Sequence, residues 1–276
     1  MDQTLVVGAV QMAPVFLDRA ATLDKVERYI DEAGASGCRL VAFGETLVPG
    51  YPFWLGRTDG ARFNSDLQRE IHSLYLREAV QIEAGHLDGV RDAARRNGTA
   101  VVLGVAERPA DRGGHSIYCS AVTIDARGEV ASVHRKLTPT YEERLSWASG
   151  DGHGLVTHEL SPFTLGSLNC WENWMPFVAY RAVLAGRGPA RRAMAGRCVR
   201  HRGRHPVHCA RVAVLRHLRV RRTAPRAHPR LHAGRGHDAR GERRADQHRR
   251  DVHRRARREL VGRTDRRHRG LDGRDA

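Results

Sequence analysis

Between residues 5 and 170, short apolar runs rich in valine alternate with stretches whose apolar residues recur at helical spacing, and this alternation limits the chain to a layered α/β arrangement. The runs are residues 5–12 (LVVGAVQM), 39–44 (RLVAFG), 100–106 (AVVLGVA) and 163–170 (FTLGSLNC). They are continuous rather than alternating, as strands covered on both faces require. From Thr22, the residues Leu23, Val26, Ile30 and Ala33 predict a helix closed by Gly34 and Gly37. Residues 65–97 predict a helix interrupted near Gly85, with Leu87, Val90 and Ala94 on one face and Asn97-Gly98 as the stop. Residues 116–125 and 129–137 read as a β-hairpin turning at Ala126-Arg127-Gly128. Strands interleaved with helices, plus one hairpin, predict a mixed sheet.

The pattern stops at about residue 185. Of the formal charge of +16, residues 1–185 carry −5 and residues 186–276 carry +21, the latter from 29 Arg against 8 acids. A uniformly basic globular surface is thereby excluded. The last 91 residues hold no Phe, Trp, Tyr, Ile, Asn, Ser or Lys, too few large side chains for a core, so the composition predicts disorder. Residues 212–220 (VAVLRHLRV) alone show helix-like apolar spacing there. The five cysteines, Cys38, Cys119, Cys170, Cys198 and Cys209, are odd in number and scattered, which argues against a disulfide framework. No apolar run reaches the roughly 18–20 residues that span a bilayer, and the N-terminus does not read as a signal peptide. The expected location is the cytoplasm.

Three reactive side chains fall at strand ends, where α/β sheets present catalytic groups. Glu45 is followed by the aromatic loop of Tyr51, Phe53 and Trp54; a carboxylate desolvated there gains the basicity of a general base, while a solvated loop glutamate is the plain alternative. Lys136, one of two lysines in the chain, precedes Glu142 and Glu143; its ammonium could stabilise a developing anion or form a surface ion pair. Cys170 opens the segment CWENW, where a helix N-terminus would lower the thiol pKa; a buried structural cysteine is the alternative.

Taken together, GETLVPGYPFW around Glu45, HRKLTPTYEERLSWASGDG around Lys136 and LNCWENWMP around Cys170 resemble the nitrilase superfamily of carbon–nitrogen hydrolases. The opening GAVQMAPVFLD resembles that family's first strand, and Cys-Trp-Glu-Asn resembles nitrilases rather than amidases or carbamoylases. The resemblance covers about residues 4–185. It implies a four-layered αββα sandwich, incomplete after about residue 185, and a Glu-Lys-Cys triad that needs no cofactor and no metal. Cys170 would attack a nitrile carbon, and Glu45 would act as general base. Lys136 and the backbone N–H of Trp171 would stabilise charge, with Glu143 helping to position the triad. The implied product is a carboxylic acid with ammonia. The visible pocket would be lined by Tyr51, Phe53, Trp54 and Trp174, and a homo-oligomer is implied. An amidase or another hydrolase of the superfamily is the neighbouring alternative. A basic nucleic-acid-binding protein with an inactive hydrolase domain is the alternative of another class.

Residues 186–276 admit three readings. An Arg-rich arm could neutralise phosphates, although it has no aromatic residue for base stacking. Cys198, His201, His205, His208 and Cys209 could hold zinc, although their spacing fits no standard finger. The third reading is a shifted reading frame in a GC-rich gene, since the missing residue types Phe, Tyr, Ile, Asn and Lys have AT-rich codons. Met194-Ala195-Gly196, shifted by one nucleotide, can read Trp-Pro-Gly with G or C at the third positions, which resembles a segment that nitrilases carry after the cysteine. On this reading the 276-residue chain is expected to be inactive or insoluble and the frame-restored chain to hydrolyse nitriles.

Overall fold

The computed structural model describes residues 4–178, together with the backbone of 211–214 and 218–221. Its strands are β1 (Leu5–Ala9), β2 (Leu40–Ala42), β3 (Ala100–Glu107), β4 (Tyr118–Ile124), β5 (Val130–Arg135), β6 (Thr157–Leu160), β7 (Phe163–Leu168), β8 (Arg211–Val214) and β9 (Leu218–Arg221). Its helices are α1 (Arg19–Ala35), α2 (Trp54–Arg57), α3 (Asp66–Glu78) and α4 (Asp88–Asn97). Among the described residues the chain divides into two compact units, one holding residues 4–51 and 75–178 with β8 and β9, the other residues 52–74.

In the first unit, period-2 alternation along β3 explains the layering. Val101, Leu103 and Val105 join a core with Leu23, Val26 and Ile30 of α1 and Val90, Ala93 and Ala94 of α4. Ala100 and Val102 join a second core with Leu160, Phe163 and Leu165 of the smaller sheet. Burying each such Val or Leu contributes about 2 kcal/mol. Helices, a large sheet and a small sheet therefore form three successive layers among the described residues. The large sheet runs β5-β4-β3-β2-β1-β9 and the small one β6-β7-β8. The pairs β1–β2, β2–β3 and β1–β9 are parallel, whereas β3–β4 and β4–β5 are antiparallel, which is the mixed sheet with one hairpin that the sequence predicts.

Several boundaries differ from the sequence reading. Helix α1 starts three residues earlier than the apolar spacing suggests, because Asp18 caps it by accepting from the Ala21 N–H at 2.9 Å. Gly34 lies inside that helix rather than ending it; a Cβ there would come within 2.4 Å of the Asn97 side chain at the end of α4. The break expected near Gly85 widens to residues 79–87, where Val80 bridges to Glu107 and Gly85 takes φ +77°. Strand β6 was not anticipated, being four residues long with weak alternation.

Within the stretch read as helix-like, residues 212–214 and 218–220 are corrected to strand. Strand β8 pairs antiparallel with β7 and β9 pairs parallel with β1, so both occupy open sheet edges whose backbone groups call for partners. The zinc candidates Cys198, His201, His205, His208 and Cys209, and the rest of the basic segment, lie outside the described residues. Among the described residues, no helix is long and apolar enough to cross a membrane.

In the second unit, Trp54 and Leu55 of α2 are buried. Gln68 of α3 donates to the carbonyl and hydroxyl of Thr58 at 2.7 and 2.8 Å.

Candidate active site

Strands β2 and β5 point the same way, since β5 is antiparallel to β4 and β4 is antiparallel to β3. Their C-terminal ends therefore share one edge of the large sheet. After β2 the chain turns sharply at Thr46, with φ +48°, and the Val48 N–H bonds to the Gly104 carbonyl at 3.3 Å. Glycine is required at position 104: a Cβ would sit 2.2 Å from the Gly44 carbonyl oxygen and 2.7 Å from the Glu45 Cα. This close approach seats Glu45 in the interior. Lys136 follows β5 directly and stays tied to the sheet, its N–H donating to the Cys119 carbonyl at 2.8 Å.

Both side chains are buried, Glu45 at 4% and Lys136 at 1% exposure. Lys136 Nζ donates to Glu45 Oε1 at 2.9 Å and to Glu143 Oε2 at 2.8 Å. Each contact attracts by about 6 kcal/mol at an effective dielectric near 20, before the cost of desolvation. Burial pulls the Lys136 pKa down, but the charges of Glu45 and Glu143 outweigh it and push it up, so the ammonium persists. Glu143 is held in turn by the Tyr51 hydroxyl at 3.0 Å and the Thr140 N–H at 2.6 Å. Glu45 Oε1 also receives the Cys119 thiol at 3.4 Å. Glu45 Oε2 is buried and has no hydrogen-bond partner among the described residues.

Cys170 follows β7 and adopts φ +41°, a conformation that a non-glycine residue holds only when its surroundings enforce it. Asn169 before it donates from Nδ2 to the Cys119 carbonyl at 3.4 Å, which brings the end of β7 to the start of β4. The thiol lies within the electrostatic reach of Glu45, Lys136, the Trp171 N–H and Glu143. The helix here is a single 3-10 turn, Cys170–Trp174. Its Trp171 N–H pulls the thiol pKa down, as a helix start should, but this pull is outweighed. Burial, followed by the charge of Glu45, pushes the Cys170 pKa up to about 11, against the opposing pull of Lys136 and the Trp171 N–H.

Of the residues singled out in the sequence, Glu45, Lys136, Glu143, Cys170 and Trp171 come together. Tyr51 joins them as a donor to Glu143, with its ring edge-on to Trp147 at 5.5 Å. Trp147 also lies 5.7 Å from Lys136 Nζ and donates to the Tyr75 hydroxyl at 3.2 Å. Phe53 and Trp54 belong to the second unit, where Trp54 is fully buried and the Arg57 guanidinium lies 5.3 Å from the Phe53 ring. Trp174 is exposed, its ring 6.0 Å from that of Trp171. Sequence reasoning missed Cys119, Trp147 and the buried pair His134–Glu172. For Glu172 a signal exists, because Asn169-x-x-Glu172 is a capping-box spacing, and both bonds of that box form.

A thiol with a pKa near 11 is about one part in ten thousand thiolate at pH 7. Alkylation of Cys170 by iodoacetamide, followed by peptide mass analysis, is expected to accelerate about tenfold per pH unit from 7 to 10. A plateau reached below pH 9 would contradict this and indicate an acidified thiol.

The carbon-nitrogen hydrolase family model matches residues 6–187. Nitrilase 2 of an unknown prokaryotic organism is 37% identical over 180 residues, covering 65% of this chain and 55% of that protein. A nitrilase of Pseudomonas syringae pv. syringae (strain B728a) is 39% identical over 180 residues, covering 65% and 51%. An amidase from Nesterenkonia sp. of known structure is 17% identical with a TM-score of 0.45, covering 67% of this chain and 63% of that one. The chain spans about half the length of the curated relatives it matches. A match over residues 6–187, with buried Glu45 and Lys136 and the thiol of Cys170 gathered at one sheet edge, makes this chain a member of the carbon–nitrogen hydrolase family.

Proposed function

We propose that the chain is a nitrilase, converting an organic nitrile and two waters into a carboxylic acid and ammonia. The observation that carries this reading is the division of labour on Glu45: Oε1 is held by Lys136 and Cys119, while Oε2 is buried with no hydrogen-bond partner among the described residues, and the charge of Glu45 acts on the Cys170 thiol. A neutral thiol must lose its proton as it attacks. Glu45 takes it, Cys170 sulfur bonds to the nitrile carbon, and the proton passes to the nitrile nitrogen, giving a thioimidate. Water then adds with Glu45 as base. Ammonia leaves, and a second water releases the acid from the thioester. Lys136 and the Trp171 N–H stabilise charge on the nitrogen and later on the tetrahedral oxygen, and Glu143 keeps Lys136 in place.

The nitrilase names of the relatives support this reading over an amidase, which could use the same residues. Tyr51, Phe53, Trp54 and Trp174 remain proposed pocket residues. Cytoplasmic placement and a homo-oligomer are proposed on the same footing; exposed Trp171, Trp174 and Phe177 support the second.

We also propose that the hydrolase domain ends near residue 185 and that the sequence beyond it is read in a shifted frame. The family match stops at 187, where charge and composition change. Sequencing the DNA across codons 175–195 is expected to show the missing or extra nucleotide. An uninterrupted frame, with the intact mass of the native protein matching 276 residues, would overturn this.

Ammonia release from a nitrile and from its amide, measured for the 276-residue and frame-restored chains, tests the activity. The nitrile is expected to be the faster substrate for the frame-restored chain. Cys170→Ala should lower the rate by at least about 10⁴-fold, and Glu45→Gln by about 10²- to 10⁴-fold. Faster turnover of the amide would establish the amidase instead, and activity surviving Cys170→Ala would defeat both.

A further inference from the structure

Glu172 is buried and has no part in the bond-making steps above. Its carboxylate accepts from donors on both of the stretches that carry Lys136 and Cys170. Oε2 meets His134 Nε2 at 2.8 Å and the Asn169 N–H at 2.9 Å. Oε1 accepts from the Leu137 N–H at 2.8 Å. Burial alone would raise the Glu172 pKa, but the hydrogen bond and charge of His134, with the N–H groups of Leu137 and Asn169, outweigh it and hold it below the usual carboxylate range. Glu172 is then an ionised acceptor, so His134 Nε2 is the donor.

The positions of these donors matter. Leu137 immediately follows Lys136, and Asn169 immediately precedes Cys170. A capping box needs the Asn169 contact alone; the bonds to His134 and Leu137 reach across to the end of β5. Glu172 thus fastens the turn bearing the thiol to the strand end bearing the ammonium. Cys170 at φ +41° is also a conformation that has to be held from outside.

We propose that Glu172, backed by His134, is a positioning residue that sets the distance and orientation between the Cys170 sulfur and the Lys136 ammonium. The identity of the reacting groups rests on the nitrilase reading. The pair touches no reacting atom and acts through the two segments it joins.

The test uses site-resolved iodoacetamide alkylation in the full 276-residue chain and, side by side, in the frame-restored chain. Buried Cys38 serves as a reporter of unfolding. In Glu172→Gln, Cys38 should stay protected while Cys170 alkylation slows about 10-fold and nitrile kcat falls about 100-fold with KM within about 3-fold. A folded Glu172→Gln whose Cys170 reacts within about 2-fold of the parent rate would overturn the proposal. If Glu172→Gln exposes Cys38, His134→Leu and His134→Gln decide, because glutamine keeps an N–H near the Nε2 position and leucine has none. The glutamine variant should alkylate at Cys170 at least about 5-fold faster than the leucine variant, and equal rates would overturn the proposal. A parent chain that hydrolyses no nitrile, yet whose Cys170 responds in this way, would defeat the functional reading and leave the positioning role standing.

Discussion

One buried ammonium between two carboxylates holds the site together. Lys136 sits 2.9 Å from Glu45 and 2.8 Å from Glu143, all three almost fully buried, so one ammonium is shared between two carboxyl groups in the interior. Without the lysine, two desolvated carboxylates would face each other, the kind of loss that costs about 3–5 kcal/mol. The same surroundings govern the thiol. A preformed thiolate at Cys170 would be desolvated and would face the charge of Glu45, and these two effects, burial first, push the Cys170 pKa up. Proton transfer coupled to attack is the chemistry this arrangement favours.

The sheet delivers these groups because β2 and β5 end at one edge and β7, in the layer behind, brings Cys170 to it. Cys119 at the start of β4 is where the three segments converge. Its carbonyl accepts from the Lys136 N–H and the Asn169 side chain, and its thiol donates to Glu45. Gly104 on β3 leaves the space through which the Glu45 turn passes. Structural residues thus fix the reacting ones from behind, as preorganisation requires.

Much of this was legible in the sequence. Continuous valine-rich runs announced buried strands, and the three reactive residues stood just past them. What was not legible depends on contacts between distant segments. Tyr51 reads as a pocket aromatic, but its hydroxyl is committed to Glu143, 92 residues away. The sequence leaves open a thiol acidified at a helix start or a buried one. The thiol pKa rises because the helix is one short turn and because burial and Glu45 dominate, neither of which is written in local sequence. Residues 212–220 carry helical spacing, yet 212–214 pair with β7 and 218–220 with β1 as strands, a tertiary demand overriding local pattern.

The most direct measurement of the central claim is rapid acid quenching of the chain with a nitrile, followed by mass analysis of the Cys170 peptide. The account predicts an adduct on Cys170 of substrate mass or of the corresponding acyl group, forming at least about 100-fold more slowly in Glu45→Gln. Turnover without an adduct on that peptide, or an adduct that forms equally fast in Glu45→Gln, would contradict it.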